Sequence, residues 1–584
     1  MREPTFQGNS ADFGRRACAH IEYHDRVDDG RTPLEISGET SAGHDADPAS
    51  SSVKNDSSPR VQPPARFRFV LPSVGDLIFV LLLISLTVGP LAERLLGDAG
   101  IGWHIRTGQL ILQTRSVPRI DTFSSTMSGK PWYAWEWLYD ALAGAIHQAT
   151  RLNGVVFLSA LVIALTFALV FQMMLARGAS LPIAVVMLLL AVCASTIHFF
   201  TRPHVLSWLF TVIWFGRLDD FEADPKPRRL LWLPLIMLLW VNLHGGFLLG
   251  LVLLGIYLVS AWAQKQQWSG APGGKAASMP ARALGMIGAL SLVATLANPY
   301  HYRLHVHIYR YLTDRFLMDH IDEFLSPNFH GGAQKCFAVL LLLTIVGAAA
   351  GRKKLGMSQV MVVAFAVYAG LYSSRNIPIS SMLLVLIMAP QISATLAERA
   401  ASPETSSSLR DRWASFQAFA VRASATESRL RGHVWPILVV VLGVWTCCHQ
   451  GRIGSRTVID AHFDGKRFPV KAADFLMGSH IHEPLFCPDN WGGYLIYRLY
   501  PQTQVVVDDR HDLYGAEFLK NYLRVVRLEP GWNQALVGMH ANWVLLPKDS
   551  AAASLLKEVA EWKSVYQDDT ATLFRRVSER SGRE

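Results

Sequence analysis

Three carboxylates in one long polar segment have the spacing and the neighbours expected of catalytic groups. Asp98 follows the first long apolar run, Asp121 lies in an Ile-Asp-Thr-Phe-Ser turn after a proline, and Glu136 stands between two tryptophans. A carboxylate at a membrane surface can act as a general base that takes a proton from a hydroxyl group. We therefore predict Asp98, Asp121 and Glu136 as catalytic residues.

Seven further polar residues stand in short segments between apolar runs, where a plain turn would suffice. They are His104, Arg202, His204, Asn242, His244, Arg375 and Asn376. The guanidinium fork of arginine matches phosphate oxygens, so the sequence predicts that these residues bind a substrate carrying a phosphate at headgroup depth. The alternative for each arginine is ordinary contact with lipid headgroups.

Several of these residues also have a purely structural interpretation. Asp98 can cap a helix that starts near Ile101, and Asp121 can form an Asx turn. His104 can bind a phosphate, share a metal ion or be an ordinary interfacial histidine. The sequence alone leaves these alternatives open.

The segment 134–150 has apolar side chains at helical spacing on one face. We interpret it as a helix lying flat in the membrane interface, with a solvated polar face that includes Asp140 and His147. Glu136, flanked by aromatic rings, is expected to face a site instead.

The elements that must position these residues are apolar helices. About eleven apolar segments, each long enough to approach or cross a bilayer core, are predicted as spans at 70–91, 154–176, 181–199, 204–218, 230–243, 246–263, 284–298, 336–350, 357–372, 377–397 and 434–449. Lys and Arg concentrate in alternate loops, which by the positive-inside rule lie in the cytoplasm. The polar segments with the candidate site residues therefore lie on the outer face, and the N-terminus lies inside.

Composition supports an integral membrane protein, which we expect to be a multi-pass protein of the cell (inner) membrane. The chain is 51% hydrophobic and only 17% charged, and its formal charge of +9 is spread through connecting loops, so it is not a nucleic-acid signal. The six cysteines show neither metal-ligand nor CxxC spacing, and no disulfide framework is implied.

The predicted fold is a membrane all-α bundle with a soluble α/β region at its C-terminal end. We predict a disordered cytoplasmic tail at 1–65, a transmembrane domain at 66–449 with large outside loops at 92–153 and 299–335, and an extracytoplasmic α/β domain at 450–584. Within the last, strands are predicted at 505–508, 543–546 and 571–574 and helices at 470–477 and 555–562.

Two clusters in the outer segments allow more than one interpretation. In the loop 299–335, His301, His305 and Tyr309 are four residues apart, but the histidine pair lacks the carboxylate of the HExxH motif, so an interfacial aromatic belt is favoured over a metal site. In the C-terminal region, Asp508, Asp509, Arg510 and Asp512 follow a strand, either as a salt-bridged turn or as part of a binding site.

The chain resembles the GT-C superfamily of polytopic glycosyltransferases. The resemblance is carried by Asp98, His104, Gly108, Pro118, Asp121, Ser124 and Glu136-Trp137-Leu138, by Asn242-Leu243-His244-Gly245, and by Gly492-Gly493-Tyr494 with Asp508-Asp509-Arg510. Within the superfamily it is most similar to a bacterial group related to protein-mannosyltransferase and lipopolysaccharide-core glycosyltransferase-type proteins. The resemblance spans roughly residues 70 to 576.

The resemblance implies transfer of a sugar from a polyprenyl-phosphate donor to a glycan, lipid or protein acceptor on the outer face. GT-C enzymes often carry two neighbouring acidic residues in the first loop, whereas Asp98 has no acidic neighbour. The identity of the base and the use of a divalent cation therefore stay open, and no other cofactor is implied. A lipid or solute transporter and a non-catalytic membrane scaffold are the alternatives, although few ionisable residues fall within the apolar segments.

Overall fold

Helices dominate the computed structural model, which describes residues 69–89, 91–268, 279–351, 354–401, 407–430 and 432–577. The predicted tail at 1–65 lies outside the described residues. Up to residue 450 the α-helices are α1 (Val74–Thr87), α2 (Ala92–Leu95), α3 (Ile101–Thr114), α4 (Trp137–Ala176), α5 (Leu181–Ser195), α6 (His204–Ala223), α7 (Leu233–Leu243), α8 (Phe247–Trp268), α9 (Met279–Ala294), α10 (Tyr302–Thr313), α11 (Arg315–His320), α12 (Gly332–Ala350), α13 (Met357–Tyr372), α14 (Ile377–Ala401), α15 (Ser407–Glu427) and α16 (Val434–Cys448).

Several of these helices can cross a membrane, so the chain is a multi-pass membrane protein. Within the described residues, five are long and apolar enough by length and composition: Trp137–Ala176, Leu181–His198, Phe247–Gln264, Gly332–Ala350 and Ser374–Arg399. Shorter apolar helices are Val74–Thr87, Pro280–Ala294, Met357–Tyr372 and Val434–Cys448. The number of eleven spans and the orientation of the chain stay predictions.

The bundle has an aromatic interior and an apolar outer surface. Trp208, Trp214 and Trp240 are fully buried, and the apolar part of α4 is 72% buried against 22% for α12. α4 is therefore a central helix and α12 a peripheral one. Exposed side chains such as Leu189 and Ile345, 60% and 65% exposed, need a lipid surrounding, because only an apolar solvent accepts such a surface at no cost.

The segment before the membrane part of α4 differs from its prediction. The helix starts at Trp137 and continues into the span, with a non-helical backbone at Arg151. Asp140 and His147 are only 1% and 5% exposed, because α3 packs across this part of α4. The prediction of a solvated polar face for these two residues is therefore wrong. A sequence pattern shows which side chains share a face, but not which neighbour covers that face.

Beyond residue 450 the chain contains helices and small sheets. The helices are α17 (Val470–Gly478), α18 (Asp489–Leu499), α19 (His511–Val526), α20 (Trp532–Gly538) and α21 (Ala551–Glu558). The strands are β1 (Arg452–Ile453), β2 (Arg456–Thr457), β3 (Leu485–Phe486), β4 (Trp543–Pro547), β5 (Trp562–Gln567) and β6 (Ala571–Arg576). β1 and β2 pair alone, and the larger sheet has the order β3-β4-β6-β5, parallel only between β3 and β4.

The predicted elements of this region are found with two corrections. The helix predicted at 555–562 ends at Glu558, and Trp562 begins β5. Residues 505–508 are buried as predicted for a strand, but Val505 makes only isolated bridges, one of them to Ser124. This bridge ties the C-terminal region to the long segment that follows α3.

Candidate active site

A cavity of about 770 Å³ lies where one set of helix ends meets the C-terminal region. Its lining comes from the segment between α1 and the first turn of α4, from the connections α5–α6, α7–α8 and α13–α14, from the segment between α10 and α12, and from residues in and around α18 and α19. Because successive membrane helices run in opposite directions, these alternate connections all reach the same end of the bundle. The cavity therefore has a wall of helix ends and a wall from the C-terminal region.

Seven of the ten predicted site residues line this cavity. They are Asp98, His104, Glu136, Arg202, His204, His244 and Arg375. They come from four separate connections of the chain and meet only in the folded protein. Asp121, Asn242 and Asn376 lie outside the lining.

Arg202 is the centre of a carboxylate cluster. Its Nε donates to Asp98 Oδ1 over 2.5 Å, its Nη2 to Asp509 Oδ2 over 2.5 Å and its Nη1 to Glu323 Oε1 over 3.1 Å. The guanidinium thus joins three distant parts of the chain. Each of its three nitrogens already donates to a carboxylate, which uses three of its five N–H groups, so Arg202 mainly positions carboxylates.

The charges of this cluster shift the pKa values of its members. Burial works against the charge on Arg202, but Asp98, Asp509 and Glu323 raise its pKa above the usual range. Burial also opposes the charge on Glu323, yet Arg375 and Arg202 hold its pKa well below the usual range. Burial raises the pKa of Asp509 to about 7, with Arg202 opposing and Asp98 reinforcing the shift. Glu323 is therefore a fixed anion, whereas Asp509 can titrate near neutral pH.

Asp98 is held by one oxygen and presents the other. Oδ1 accepts from Arg202 and from the backbone N–H of Gly100. The second contact is an Asx-type turn just before α3, whose N-cap is Gly100 and which has no side-chain cap, so Asp98 does not cap this helix. Among the described residues Oδ2 has no hydrogen-bond donor, and the side chain is 21% exposed. This is the geometry of an oriented base with one oxygen available to a substrate hydroxyl.

Arg375 also lines the cavity, and its contacts are longer than those of Arg202. Its Nη1 lies 3.6 Å from Glu323 Oε2, its guanidinium stands 5.4 Å from the ring centre of Phe324, and the side chain is 36% exposed. Its Nη2 is 3.5 Å from His244 Nε2. None of these is a short bidentate pair of the kind that arginine makes with carboxylate or phosphate. Arg375 therefore keeps donors for an anion entering the cavity.

Glu136 lies between two histidines. Its carboxyl oxygens are 3.7 Å from His104 Nε2 and 3.6 Å from His244 Nε2. Burial raises its pKa to about 8, although Arg375 and Arg202 oppose the shift. Burial likewise lowers the pKa of His104 and of His244 well below the usual value. At neutral pH the three groups are thus an uncharged acid between two uncharged imidazoles.

The hydrogen bonds of His244 define its tautomer. Its Nδ1 accepts from the backbone N–H of Gly246 and contacts Ser207 Oγ, so the proton of the neutral ring is on Nε2. His244 therefore faces Glu136 as a donor. On the other side of Glu136, His104 Nδ1 contacts Asp140 Oδ1 over 2.5 Å, which orients the ring with Nε2 towards Glu136.

Asp121 has a structural position outside the cavity. Its carboxylate accepts from the backbone and hydroxyl of Ser124 and from Arg510 Nη1 over 2.7 Å. Arg510 also donates twice to Asp508 and stands 4.7 Å from the ring centre of Trp132. The catalytic prediction for Asp121 is not supported by this geometry, because a carboxylate with 0% exposure cannot reach a substrate.

Asn242 and Asn376 hold helices rather than line the cavity. Asn242 accepts from Trp137 Nε1 and donates to the carbonyls of Leu238 and Ala297, which ties α7 to α4 and to the end of α9. Asn376 donates to the carbonyl of Ala369. Their predicted role in substrate binding has no geometric support. His204 does line the cavity, and its Nε2 contacts the carbonyl of His198.

Several cavity residues were missed as site candidates from the sequence. They are Asp140, Glu323, Asp489 and His511. Asp509 and Asp512, which also line the cavity, belong to the cluster for which the sequence left a salt-bridged turn or a binding site open. The Asp508-Asp509-Arg510 motif was the sequence signal for a site in the C-terminal region. Its residues have two different roles in the structure. Asp508 and Arg510 form the salt-bridged turn, whereas Asp509 contacts Arg202 and Trp103. Glu323 carried no signal, because acids in a polar loop, here Asp322 and Glu323, resemble ordinary solvated residues.

The carboxylates do not form a ready cation site. The point where Asp98, Asp509 and Glu323 converge is filled by the Arg202 guanidinium. Within the described part of the chain no group of three or more His, Cys, Asp or Glu side chains could hold a metal ion. The divalent cation that the sequence left open does not fit these residues, so no step of the reaction is assigned to a metal ion.

Two solved structures are similar to this chain at low sequence identity. No family model and no curated protein matches the chain. The archaeal oligosaccharyltransferase AglB from Archaeoglobus fulgidus, in complex with an inhibitory peptide and a dolichol-phosphate, is 11% identical with a TM-score of 0.48, and the match covers 81% of this chain and 69% of that one. ArnT from Cupriavidus metallidurans, bound to undecaprenyl phosphate, is 14% identical with a TM-score of 0.43, over 87% and 98% of the two chains. Both are GT-C glycosyltransferases, and a likeness this distant says nothing about substrates.

Proposed function

We propose that the protein is an integral membrane glycosyltransferase that moves one sugar from a polyprenyl phosphate to an acceptor at the extracytoplasmic face. One observation carries the proposal: Asp98, Arg202, His244 and Arg375, from four separate connections, meet in one cavity at a single end of the apolar bundle. A lipid phosphate is confined to headgroup depth, and its carrier reaches such a cavity without leaving the bilayer.

The proposed reaction starts at the acceptor hydroxyl. Asp98 Oδ2 takes the hydroxyl proton as the hydroxyl oxygen attacks the anomeric carbon, and the bond between that carbon and the phosphate oxygen breaks. Arg202 orients the Asp98 carboxylate through its contact with Oδ1. The products are the glycosylated acceptor and free polyprenyl phosphate, with inversion at the anomeric carbon.

The departing phosphate needs positive charge where its own charge develops. Arg375 fits this role better than Arg202, because its longer contacts leave donors available. Glu136 supports the same step in its neutral form. An ionised Glu136 beside the phosphate would repel it, and the pKa of about 8 keeps Glu136 protonated at neutral pH.

The test is release of free polyprenyl phosphate from lipid-linked sugars. The purified protein in liposomes is incubated with the lipid-linked sugar fraction of bacterial membranes and with an extract of cell-envelope acceptors, and polyprenyl phosphate is followed by mass spectrometry. We expect release that depends on the acceptor extract and is lost in Asp98→Asn. An active Asp98→Asn variant would refute the assignment, and ion-coupled solute flux without release would favour a transporter.

A further inference from the structure

Two cysteines from distant parts of the chain meet near the cavity. Cys193 is two residues before the end of α5, and Cys336 lies in the first turns of α12. Their sulfur atoms are 2.7 Å apart, with the Cys336 thiol donating to Cys193. Both side chains are partly exposed. The two helices pack against each other, so the end of one meets the start of the other.

The pair stands next to cavity-lining residues on both helices. Ile197 and His198, just beyond the end of α5, line the cavity, and so does Gln334, two residues before Cys336. The cysteines are therefore at the cavity end of the bundle. A bond between them would fix the separation of these two lining segments.

The geometry favours bridging of this pair in particular. A disulfide requires two cysteines whose side chains point at each other, and sulfurs already in contact need no backbone movement. Among the described residues, the other cysteines lack such a partner: Cys447 and Cys448 are neighbours in α16, and Cys487 is buried near β3 with its thiol towards a carbonyl.

We propose that Cys193 and Cys336 form a disulfide that ties α5 to α12 beside the cavity. The thiolate of one cysteine attacks the disulfide of an extracytoplasmic thiol oxidant and forms a mixed disulfide. The second thiolate then displaces the oxidant, which leaves as a dithiol with the two protons and two electrons of the cysteine pair. The inference rests on the proposed function only for placing this end of the bundle in an oxidising compartment.

The test is the redox state of the pair in the full-length protein. Membranes of a bacterial host with an oxidising periplasm are isolated without reductant, free thiols are blocked with a maleimide, and the purified protein is digested for mass spectrometry. We expect a linked peptide pair containing Cys193 and Cys336 that disappears in Cys193→Ser and in Cys336→Ser. Cys447→Ser is the matched control at the end of another apolar helix and should retain the link. If the maleimide has labelled both Cys193 and Cys336 in the wild type, the two thiols were free, and the proposal is wrong.

A second measurement addresses the tie itself. Reductant should lower the melting temperature of the detergent-solubilised wild type but leave the Cys193→Ser/Cys336→Ser double variant unchanged. Equal melting temperatures of the wild type with and without reductant would show that the bond does not stabilise the contact between α5 and α12. If Cys193 and Cys336 are linked but the protein has no transfer activity, the proposed function is wrong and the disulfide proposal stands. If both thiols are free in a protein that is active, the disulfide proposal is wrong and the proposed function stands.

Discussion

At the scale of single residues, two of the arginines that line the cavity, Arg202 and Arg375, have different tasks despite their identical chemistry. Arg202 is surrounded by Asp98, Asp509 and Glu323, whereas Arg375 has only longer contacts. The sequence predicted both as phosphate ligands, because side-chain type and loop position were the same. Only the fold shows which guanidinium is already occupied.

The first prediction concerns Asp98 as the base. Asp98→Asn keeps an acceptor oxygen for Gly100 but cannot take a proton, so transfer should fall by about 10²–10⁴-fold. The measurement is the rate of polyprenyl phosphate release at saturating donor. Asp322→Asn is the matched control, because Asp322 also lines the cavity but is exposed and is not among the described carboxylates that pair with Arg202. Equal losses in the two variants would contradict the assignment.

The second prediction concerns the pH dependence that Glu136 imposes. Its pKa of about 8 means that the neutral acid is lost as the pH rises through 8, so the transfer rate should fall there. Glu136→Gln is neutral at every pH and should abolish this alkaline limb while keeping activity at pH 7. An unchanged alkaline limb in Glu136→Gln would assign it to another group.

The same pKa shift predicts that the protein becomes less stable as the pH rises, whereas a salt-bridged acid makes a protein more stable as the pH rises. From pH 4.5, the usual value, to about 8 the native state keeps the Glu136 proton while the unfolded chain has lost it. The free energy of unfolding should therefore decrease as the pH rises across this window and level off above it. Melting temperatures of the wild type and Glu136→Gln should converge towards low pH and diverge towards high pH.

At the scale of elements, close backbone contact between α3 and α4 places His104 against Asp140. A Cβ on Gly108 would lie 1.8 Å from the carbonyl oxygen of Asp140, and one on Gly144 would lie 2.6 Å from the backbone of Gly108. The two glycines thus allow the helices to touch directly. Any larger residue must separate the helices and with them the His104–Asp140 pair.

The third prediction follows from this contact. Gly108→Ala should reduce the yield of folded, monodisperse protein in detergent, because backbone atoms cannot move aside for the added methyl group. Gly255→Ala is the matched control: a methyl group on this helical glycine would meet nothing within 4 Å, so the change should be tolerated. Size-exclusion chromatography of fluorescent fusions compares the two, and equal yields would contradict the close packing.

The sequence predicted the positions of helices and strands better than it predicted which elements pack against each other. Apolar runs fixed where α4, α12 and α14 lie, because length and hydropathy are local properties. The burial of Asp140 was missed, since it depends on α3 crossing over α4. The start of β5 at Trp562 was missed because the alternation there is too short to separate a strand from a helix.

At the scale of the whole molecule, the C-terminal region is one wall of the cavity. Asp509 reaches Arg202, Arg106 donates to the carbonyl of Tyr497, and a Cβ on Gly493 would meet the carbonyl of Ala99 at 2.5 Å. The cavity is therefore complete only when this region is docked on α3. Loss of the docking contacts should reduce activity even where the transmembrane helices remain folded.

The fourth prediction concerns Arg510, which holds this wall to the first long segment. Arg510→Ala leaves Asp121 and Asp508 as buried charges without a partner and should destabilise the protein by about 3–5 kcal/mol. Arg576→Ala removes a partly exposed pair with Glu561 and a cation–π contact with Trp562 and should cost about 0–2 kcal/mol. Thermal unfolding of the two variants tests the difference, and equal melting temperatures would contradict it.

The most direct test of the proposed site is an experimental structure of the protein with polyprenyl phosphate in a lipid nanodisc, because it needs no knowledge of the sugar or the acceptor. We predict density for the phosphate inside the cavity, within hydrogen-bond distance of Arg375 and beside Asp98 Oδ2. A phosphate bound on the lipid-facing perimeter, with the cavity closed to the carrier, would contradict the proposed site.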